Sequence, residues 1–226
     1  MASLYGPRII TDGLVCYLDA ANTKSYPGTG TIWYDLSGYN HNATLVNGPT
    51  YNSNYKGAFK FDGADDYATI NSTAALTFTT PTIIAFCTNN TGGVIAKGGY
   101  GSYWNYGIKN ITSTSFMAIN NNGNTTNPSS FPSISSSFPV CCAVNWDGTN
   151  INFYRNGFSG GASSAAYSPS ANNSLFLRIG CLWNQLTSSN VEFYSGSIYS
   201  IMIYNRALSL SEINQNYNAI KGRFNL

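Results

Sequence analysis

Charge is what this chain has least of. Only 9% of its 226 residues are Asp, Glu, Lys or Arg, where an ordinary globular chain carries about a quarter. Asn, Ser, Thr, Gly and Tyr take their place, a mixture that solvates a surface without an electric field. The net charge is +2 and no run of Lys or Arg occurs, so a nucleic-acid partner has no electrostatic basis. Long apolar runs are missing too. The best, "TIIAFC" and "PVCCAV", fall far short of the roughly 20 residues a membrane-spanning helix needs. The opening "MASLYGPRII" lacks the charged-then-apolar order of a secretion signal, so synthesis in a cytoplasm is expected. Five cysteines, Cys16, Cys87, Cys141, Cys142 and Cys181, are odd in number and irregular in spacing. They read as small buried core residues. Cys141 and Cys142 are adjacent, so on a strand they point to opposite faces and cannot share a metal.

What is present is a succession of short apolar segments cut by Gly, Asn, Pro and Ser. "LVCYLDA", "AFKFDG", "DYATI", "PTIIAFCT", "GVIAKG", "YGIKNI", "SFMAIN", "VCCAVNW", "NINFYRNG", "LFLRIG" and "SIYSIMIYN" read as strands, rich in Ile, Val, Phe, Tyr and Thr. Tight turns are expected at Asp147-Gly148 and Asn156-Gly157, with a third in "DGADD" at Asp62 to Asp66. Strands with turn punctuation and no intervening helix imply an all-β sandwich or barrel. Composition does not shift along the chain, so a single domain over 1–226 is expected, with 1–12 as an N-terminal arm. "NNNGNTTNPSSFPSISSS", residues 120–137, reads as a long polar loop.

Only the tail looks helical, over 209–222. Ser209 and Glu212 have the spacing of a capping box. Leu210, Ile213, Tyr217 and Ile220 form one apolar stripe. Gly222 after Lys221 reads as a C-terminal stop. Asn214, Gln215, Asn216 and Asn218 make the remaining face uncharged. Such a helix is expected to clasp a sheet edge or end rather than to recognise a partner.

"GSIYSIMIYNRALSLSEI" resembles the closing segment of laminin G-like jelly-roll domains of the concanavalin A-like lectin/glucanase superfamily. "GLVCYLDAAN" looks like the opening strand, "WYDLSGYNHNATLVNGPTY" like the family's D-x-S-G-N loop, and "FKFDGADDYATI" like its F-D-G-x-D-D-Y strand. The match runs from about Gly13 to Leu210, in order. It implies a two-sheet antiparallel jelly-roll sandwich closed by a short C-terminal helix. The opening "PRIITDGLVCYLDAANTKSYPGTGTIWYDLSG" and the ending "NYNAIKGRF" are more particularly similar to virion-associated proteins of tailed phages, notably those of marine cyanobacteria. That implies a capsid decoration or a tail or fibre component, located on the virion, with other virion proteins or itself as partner.

Glycoside hydrolysis needs two carboxyl groups flanking the bond. Of the nine acidic residues only two are Glu. Glu212 is accounted for by the helix cap, and Glu192 has no acidic neighbour two or four residues away. The one cluster, Asp62, Asp65 and Asp66, reads as a turn that uses Asp for local hydrogen bonds. The single histidine, His41, sits in a polar loop without a serine elbow and reads as incidental. No phosphate loop is present, since "KGGYGSYWNYG" lacks the following Lys-Ser/Thr. No enzyme is expected.

Binding is the remaining chemistry. In "KGGYGSYWNYG", Tyr100, Tyr103, Trp104 and Tyr106 stand among glycines, where a backbone can approach a ligand and aromatic faces can stack on sugar. The competing reading is a hairpin whose aromatics fill the sandwich end. "CLWNQLTSSN" offers Trp183, Asn184 and Gln185 on a loop. Trp33 and Trp146 read as core. Related domains hold calcium, which wants six to eight oxygens. The oxygen-rich sets here are Asp35, Asn40 and Asn42, and Asp62, Asp65 and Asp66. Where related domains carry an acidic pair after the closing Gly-x-Ile, this chain has Tyr199 and Ser200. No cofactor is therefore expected, with calcium as the alternative. The combined expectation is a non-enzymatic virion protein that adds host-surface polysaccharide to its partners. A dedicated glycan-binding adhesin is the alternative, and a glycoside hydrolase is what the residues support least.

Overall fold

Strand-forming segments pair into two large sheets and a small one in the computed structural model, which describes residues 7–71, 74–88, 90–100, 105–110, 116–119, 125–126, 138–164 and 175–226. Strands are numbered β1 to β19 along the chain. The first sheet runs β15 (Phe158–Ser164), β14 (Asn150–Arg155), β13 (Pro139–Trp146), β7 (Thr82–Thr88), β19 (Ser195–Tyr204), β5 (Ala58–Asp62), β4 (Thr50–Asn52). The long β19 shares one side between two partners: Ser195 to Ile198 pair with β5, and Ser200 to Tyr204 pair with β1 (Leu14–Asp19). The second sheet runs β12 (Thr125–Thr126), β11 (Phe116–Ile119), β10 (Tyr106–Asn110), β8 (Gly92–Lys97), β16 (Leu177–Ile179), β6 (Tyr67–Ile70), β3 (Ala43–Val46), β2 (Ile32–Trp33). Both are antiparallel throughout the described pairs, and the expected jelly-roll sandwich is present.

Side-chain alternation builds two apolar layers. Ile83, Ala85 and Cys87 of β7 point into the space between the sheets with Val140, Cys142 and Val144 of β13, and meet Trp33, Ala68, Ile95, Ile108 and Leu177 from the second sheet. The alternate residues Ile84, Phe86, Cys141 and Ala143 point outward and are equally buried. A strand buried on both faces reads as a continuous apolar run rather than an alternation, which accounts for "TIIAFC" and "PVCCAV". Cys141 and Cys142 do face opposite ways. Burial pushes the thiols of Cys16, Cys141 and Cys181 well up, and all five cysteines are buried and unbridged.

The outer layer is the tail. Helix α1 (Leu210–Lys221) has the full capping box: Ser209 Oγ accepts from the Glu212 amide at 3.3 Å, and Glu212 Oε2 accepts from the Ser209 amide at 2.8 Å. Ile213, Tyr217, Ile220 and the following Phe224 bury against Phe86, Tyr199, Met202 and Tyr204. The helix is a clasp, but it covers the face of the first sheet, not an edge or end. Leu210 departs from the expected stripe; it begins the helix and is 50% exposed beside the sheet-edge residue Phe158. Gly222 is the C-cap as expected, though not in a left-handed conformation. Its φ is −59°, and the chain turns on through Arg223 so that Phe224 reaches the sheet. The Asn/Gln face is used for docking: Asn216 Oδ1 accepts from Ile10 N at 2.8 Å, and Gln215 Nε2 donates to Arg8 O at 2.8 Å. It thereby pins the N-terminal arm.

The expected turns form at Asp147-Gly148, where Gly148 has φ +97°, and at Asn156-Gly157, with φ of +51° and +80°. The Asp62–Asp66 turn is different in kind. It joins β5 of the first sheet to β6 of the second, so it arches across the sandwich instead of closing a hairpin. Of residues 120–137, Thr125–Thr126 form β12 and the rest lie outside the described residues.

Candidate functional site

The small third sheet is laid on the outer face of the second. Its strands are β18 (Ser189–Val191), β17 (Leu182–Asn184) and β9 (Gly99–Tyr100), with β17 and β9 parallel. Small residues on β8 make room for it. A Cβ on Gly93 would stand 2.6 Å from Leu182 Cδ2, and Ala96 packs on Leu182 and Val191. Leu182 faces down into that contact, so the next residue, Trp183, faces up. Gly99 lies under Trp183: a Cβ there would come within 2.4 Å of Trp183 O and 2.7 Å of its Cδ1. The glycine expected to let a ligand approach instead lets the tryptophan approach.

The two segments singled out in the sequence thus meet, with Trp183 paired to Gly99 and Asn184 to Tyr100. Trp183 is half-buried. The Arg178 guanidinium carbon sits 4.3 Å from its ring centroid, a cation–π contact, and 5.8 Å from the ring of Phe176, which is 42% exposed. Arg178 Nε donates to Asn190 Oδ1 at 2.8 Å, and burial pushes its pKa down. Asn184 Oδ1 accepts from the amides of Leu186 at 3.0 Å and Thr187 at 3.4 Å, so it shapes the loop. Gln185 is half-buried with its Oε1 unpartnered.

Tyr106 does not belong to this surface. It is fully buried, donates to Leu76 O at 2.9 Å, and stacks with Phe78. Its place on β10 opposite Lys97 puts the ring on the inner phase of the strand, as the competing hairpin-core reading had it. Tyr103 and Trp104 lie outside the described residues. Arg178, Phe176 and Asn190 were not singled out from the sequence. Their signal was an arginine at the outward phase of the otherwise apolar "LFLRIG".

The first calcium set does not fit a cation. Asp35 Oδ1 accepts from the amides of Tyr17 and Ser37, both at 2.8 Å. Its Oδ2 accepts from Ser37 Oγ at 2.7 Å and His41 N at 3.0 Å. Asn42 Oδ1 accepts from Asp35 N at 2.9 Å, and exposed Asn40 supplies a left-handed φ of +60°. These groups knot the loop to β1. His41 is not incidental either: it is buried, with Nδ1 2.8 Å from Val15 O. In the second set the carboxylate oxygens of Asp62, Asp65 and Asp66 lie within 4.8 Å of one another. Asp62 Oδ1 is occupied by the amides of Ala64, Asp65 and Asp66 at 2.8, 3.3 and 3.4 Å, which hold its pKa down. Asp66 Oδ2 accepts from Asp62 N at 3.1 Å, and burial joined by its two acidic neighbours pushes its pKa up.

The remaining carboxylates have structural partners. Glu192 pairs with Lys109, Asp19 with Arg223, and Asp12 and Glu212 with Arg206. Asp147 accepts from Thr149 N, Asn150 N and the Asn152 side chain.

The fold is shared with several solved proteins. The Trypanosoma rangeli sialidase in complex with sialic acid matches with a TM-score of 0.67 at 17% identity, over 96% of this chain and 36% of that one. The binding domain of Paraclostridial Mosquitocidal Protein 1 matches with a TM-score of 0.67 at 15% identity, over 92% and 52%. Domain 4 of AbnA, a GH43 extracellular arabinanase from Geobacillus stearothermophilus, in complex with arabinotriose, matches with a TM-score of 0.66 at 13% identity, over 90% and 98%. This chain therefore spans about a third of the sialidase, half of the mosquitocidal chain and nearly all of the arabinanase domain. No curated protein sequence matches it. The profile of the concanavalin A-like lectin/glucanases superfamily matches residues 62–214, and the chain belongs to that superfamily.

Proposed function

We propose that this chain is a non-enzymatic, sugar-binding protein of a phage particle, with the Trp183 surface as its glycan site. The observation that carries the sugar-binding part is Trp183, half-open, held by Gly99 from below and with the Arg178 guanidinium over one ring face, so that a sugar would stack on the other face. An aromatic face made rigid by a guanidinium behind it, with amide groups near its rim, suits the alternating C–H and hydroxyl surface of a sugar ring. The arabinanase domain, which matches over nearly its whole length, is itself a complex with arabinotriose. The use of eight of the nine carboxylates in turns, caps and ion pairs supports binding without hydrolysis, because a hydrolase needs two of them facing a substrate. The place on a phage particle rests on the resemblance of the opening and closing segments to virion-associated proteins. The weakly charged, Asn- and Ser-rich composition suits such a surface.

The experiment is binding of the purified chain to a glycan array and to host-envelope polysaccharide. Saturable binding that Trp183→Ala abolishes without unfolding the protein supports the site. The same outcome in wild type and variant, bound or unbound, removes it. Oligomeric state separates the places on a particle: a stable trimer suits a fibre tip, and a monomer that adds only to particles suits decoration.

A further inference from the structure

Arg178 is a buried cation without a counterion. It stands on β16 between Leu177 and Ile179, whose side chains face the core, so its own side chain crosses the outer face of the sheet. The residue is 8% exposed. The nine acidic residues of the chain all lie among the described residues, and none pairs with it. Among the described residues its one hydrogen bond goes to the neutral amide of Asn190, through Nε. Nη1 is buried with no partner. Trp183 and Phe176 fix the plane of the group but offer no hydrogen-bond acceptor. A guanidinium taken out of water and left unpaired is a costly arrangement that an anion would relieve.

The geometry says which edge the anion meets. Asn190 blocks the side of the fork that contains Nε. The end that carries Nη1 and Nη2 remains: two parallel N–H groups there are the pattern that a planar carboxylate accepts bidentately, and because Nη1 is closed to solvent in the free protein, the ligand has to displace a neighbouring side chain to reach it. Resting on the sugar-binding role proposed above, we infer that the sugar held at Trp183 is acidic and that Arg178 receives its carboxylate through the Nη edge. The ligand class is a uronic-acid or otherwise carboxylated glycan. Trp183 supplies the stacking face, and Asn190 positions the fork.

The test uses the full chain with three polyuronates, polygalacturonate, alginate and hyaluronan, and with the same polymers after their carboxyl groups have been reduced to alcohols. Titration calorimetry should show at least one acid form binding about tenfold or more tighter than its reduced form, the scale of one charge-assisted contact. Arg178→Gln should erase that difference and leave residual binding to the reduced polymer. Arg178→Lys, which keeps the charge without the fork, should restore only part of it, and it also serves if the glutamine variant fails to fold. Lys56→Gln, in the cleft on the helix side of the sandwich, should change nothing. Equal binding of acid and reduced polymers overturns the inference while leaving Trp183 as a sugar site. Equal loss in Lys56→Gln reduces it to general charge attraction and overturns it too. No binding of any of these polymers, acid or reduced, overturns the inference, and the glycan array then decides whether Trp183 is a sugar site.

Discussion

Arg206 grips Glu212 with the two ends of its guanidinium, Nη1 to Oε2 at 3.1 Å and Nη2 to Oε1 at 2.6 Å. The same arginine reaches Asp12 through Nε at 2.9 Å, and its carbonyl accepts from Thr82 Oγ1 at 2.7 Å. One residue therefore joins the start of β1, the middle of the first sheet and the first turn of α1. The contact holds the Glu212 carboxyl down at about 2. A carboxyl depressed in the folded state contributes stability that is present above its ordinary value and is lost as pH falls through the folded one. Glu212→Gln should lower stability at pH 7 by about 1–3 kcal/mol and flatten the loss of stability between pH 4.5 and 2. Urea titrations of both proteins across that range check it. An unchanged acid limb would mean that the fork contributes no net stability.

Lys97 has the same pH slope but is a cost where Glu212 is a gain. It is fully buried, donates from Nζ to Leu175 O at 3.0 Å, and burial pushes its pKa down to about 8. The unfolded chain keeps this proton up to its ordinary value near 10.4. Between those limits the unfolded state binds more protons, so the Lys97 contribution rises with pH. Lys97→Met should be more stable than wild type at pH 7 by about 1–3 kcal/mol, with the gap closing as pH rises from 8 to 10. Chemical denaturation at several pH values reads this directly, and a gap that does not depend on pH would show that the amine is not desolvated.

Much of the fold was legible because its signals are local. Asp-Gly and Asn-Gly pairs require positive φ wherever they sit, and Ser209 with Glu212 needs only one helical turn to meet. The layer order was harder. "TIIAFC" and "PVCCAV" were seen as strands, but their uninterrupted apolarity also meant that both faces are covered, which places the helix on a face. Tyr106 and Trp183 show the limit at the site. Each is an aromatic next to an asparagine, and only strand phase, set by the pairing of Tyr106 with Lys97 and of Trp183 with Gly99, sends one into the core and leaves the other half-open. Arg178 was legible in principle, since a charged residue between two core residues must face outward. What it meets there, Trp183 and Asn190, depends on a hairpin folded back over β8, which no local pattern announces.

Gly99 tests that arrangement. An alanine methyl there would press on the Trp183 carbonyl, a backbone atom that cannot swing away. Gly99→Ala should cost about 1–3 kcal/mol and abolish sugar binding, while Trp183→Ala abolishes binding with a smaller loss of stability. Thermal melts paired with glycan titrations separate the two. Full binding by a stable Gly99→Ala protein would mean that Trp183 is not held by the β9 backbone.

Calcium has one set of groups left to it. The Asp35 carboxylate already takes hydrogen bonds on both oxygens from four donors, so a cation would have to displace the loop that ties Asp35 to β1. The Asp62 turn keeps one Asp62 oxygen occupied by three amides and leaves fewer carboxylate oxygens than calcium's usual shell requires. A ligand that binds only the folded state raises its stability in proportion to the logarithm of concentration over Kd. Millimolar calcium should therefore leave the melting temperature unchanged, and chelator should leave glycan binding unchanged. A rise of several degrees with calcium that Asp65→Asn removes would place a cation in the arch between β5 and β6, with water completing its shell.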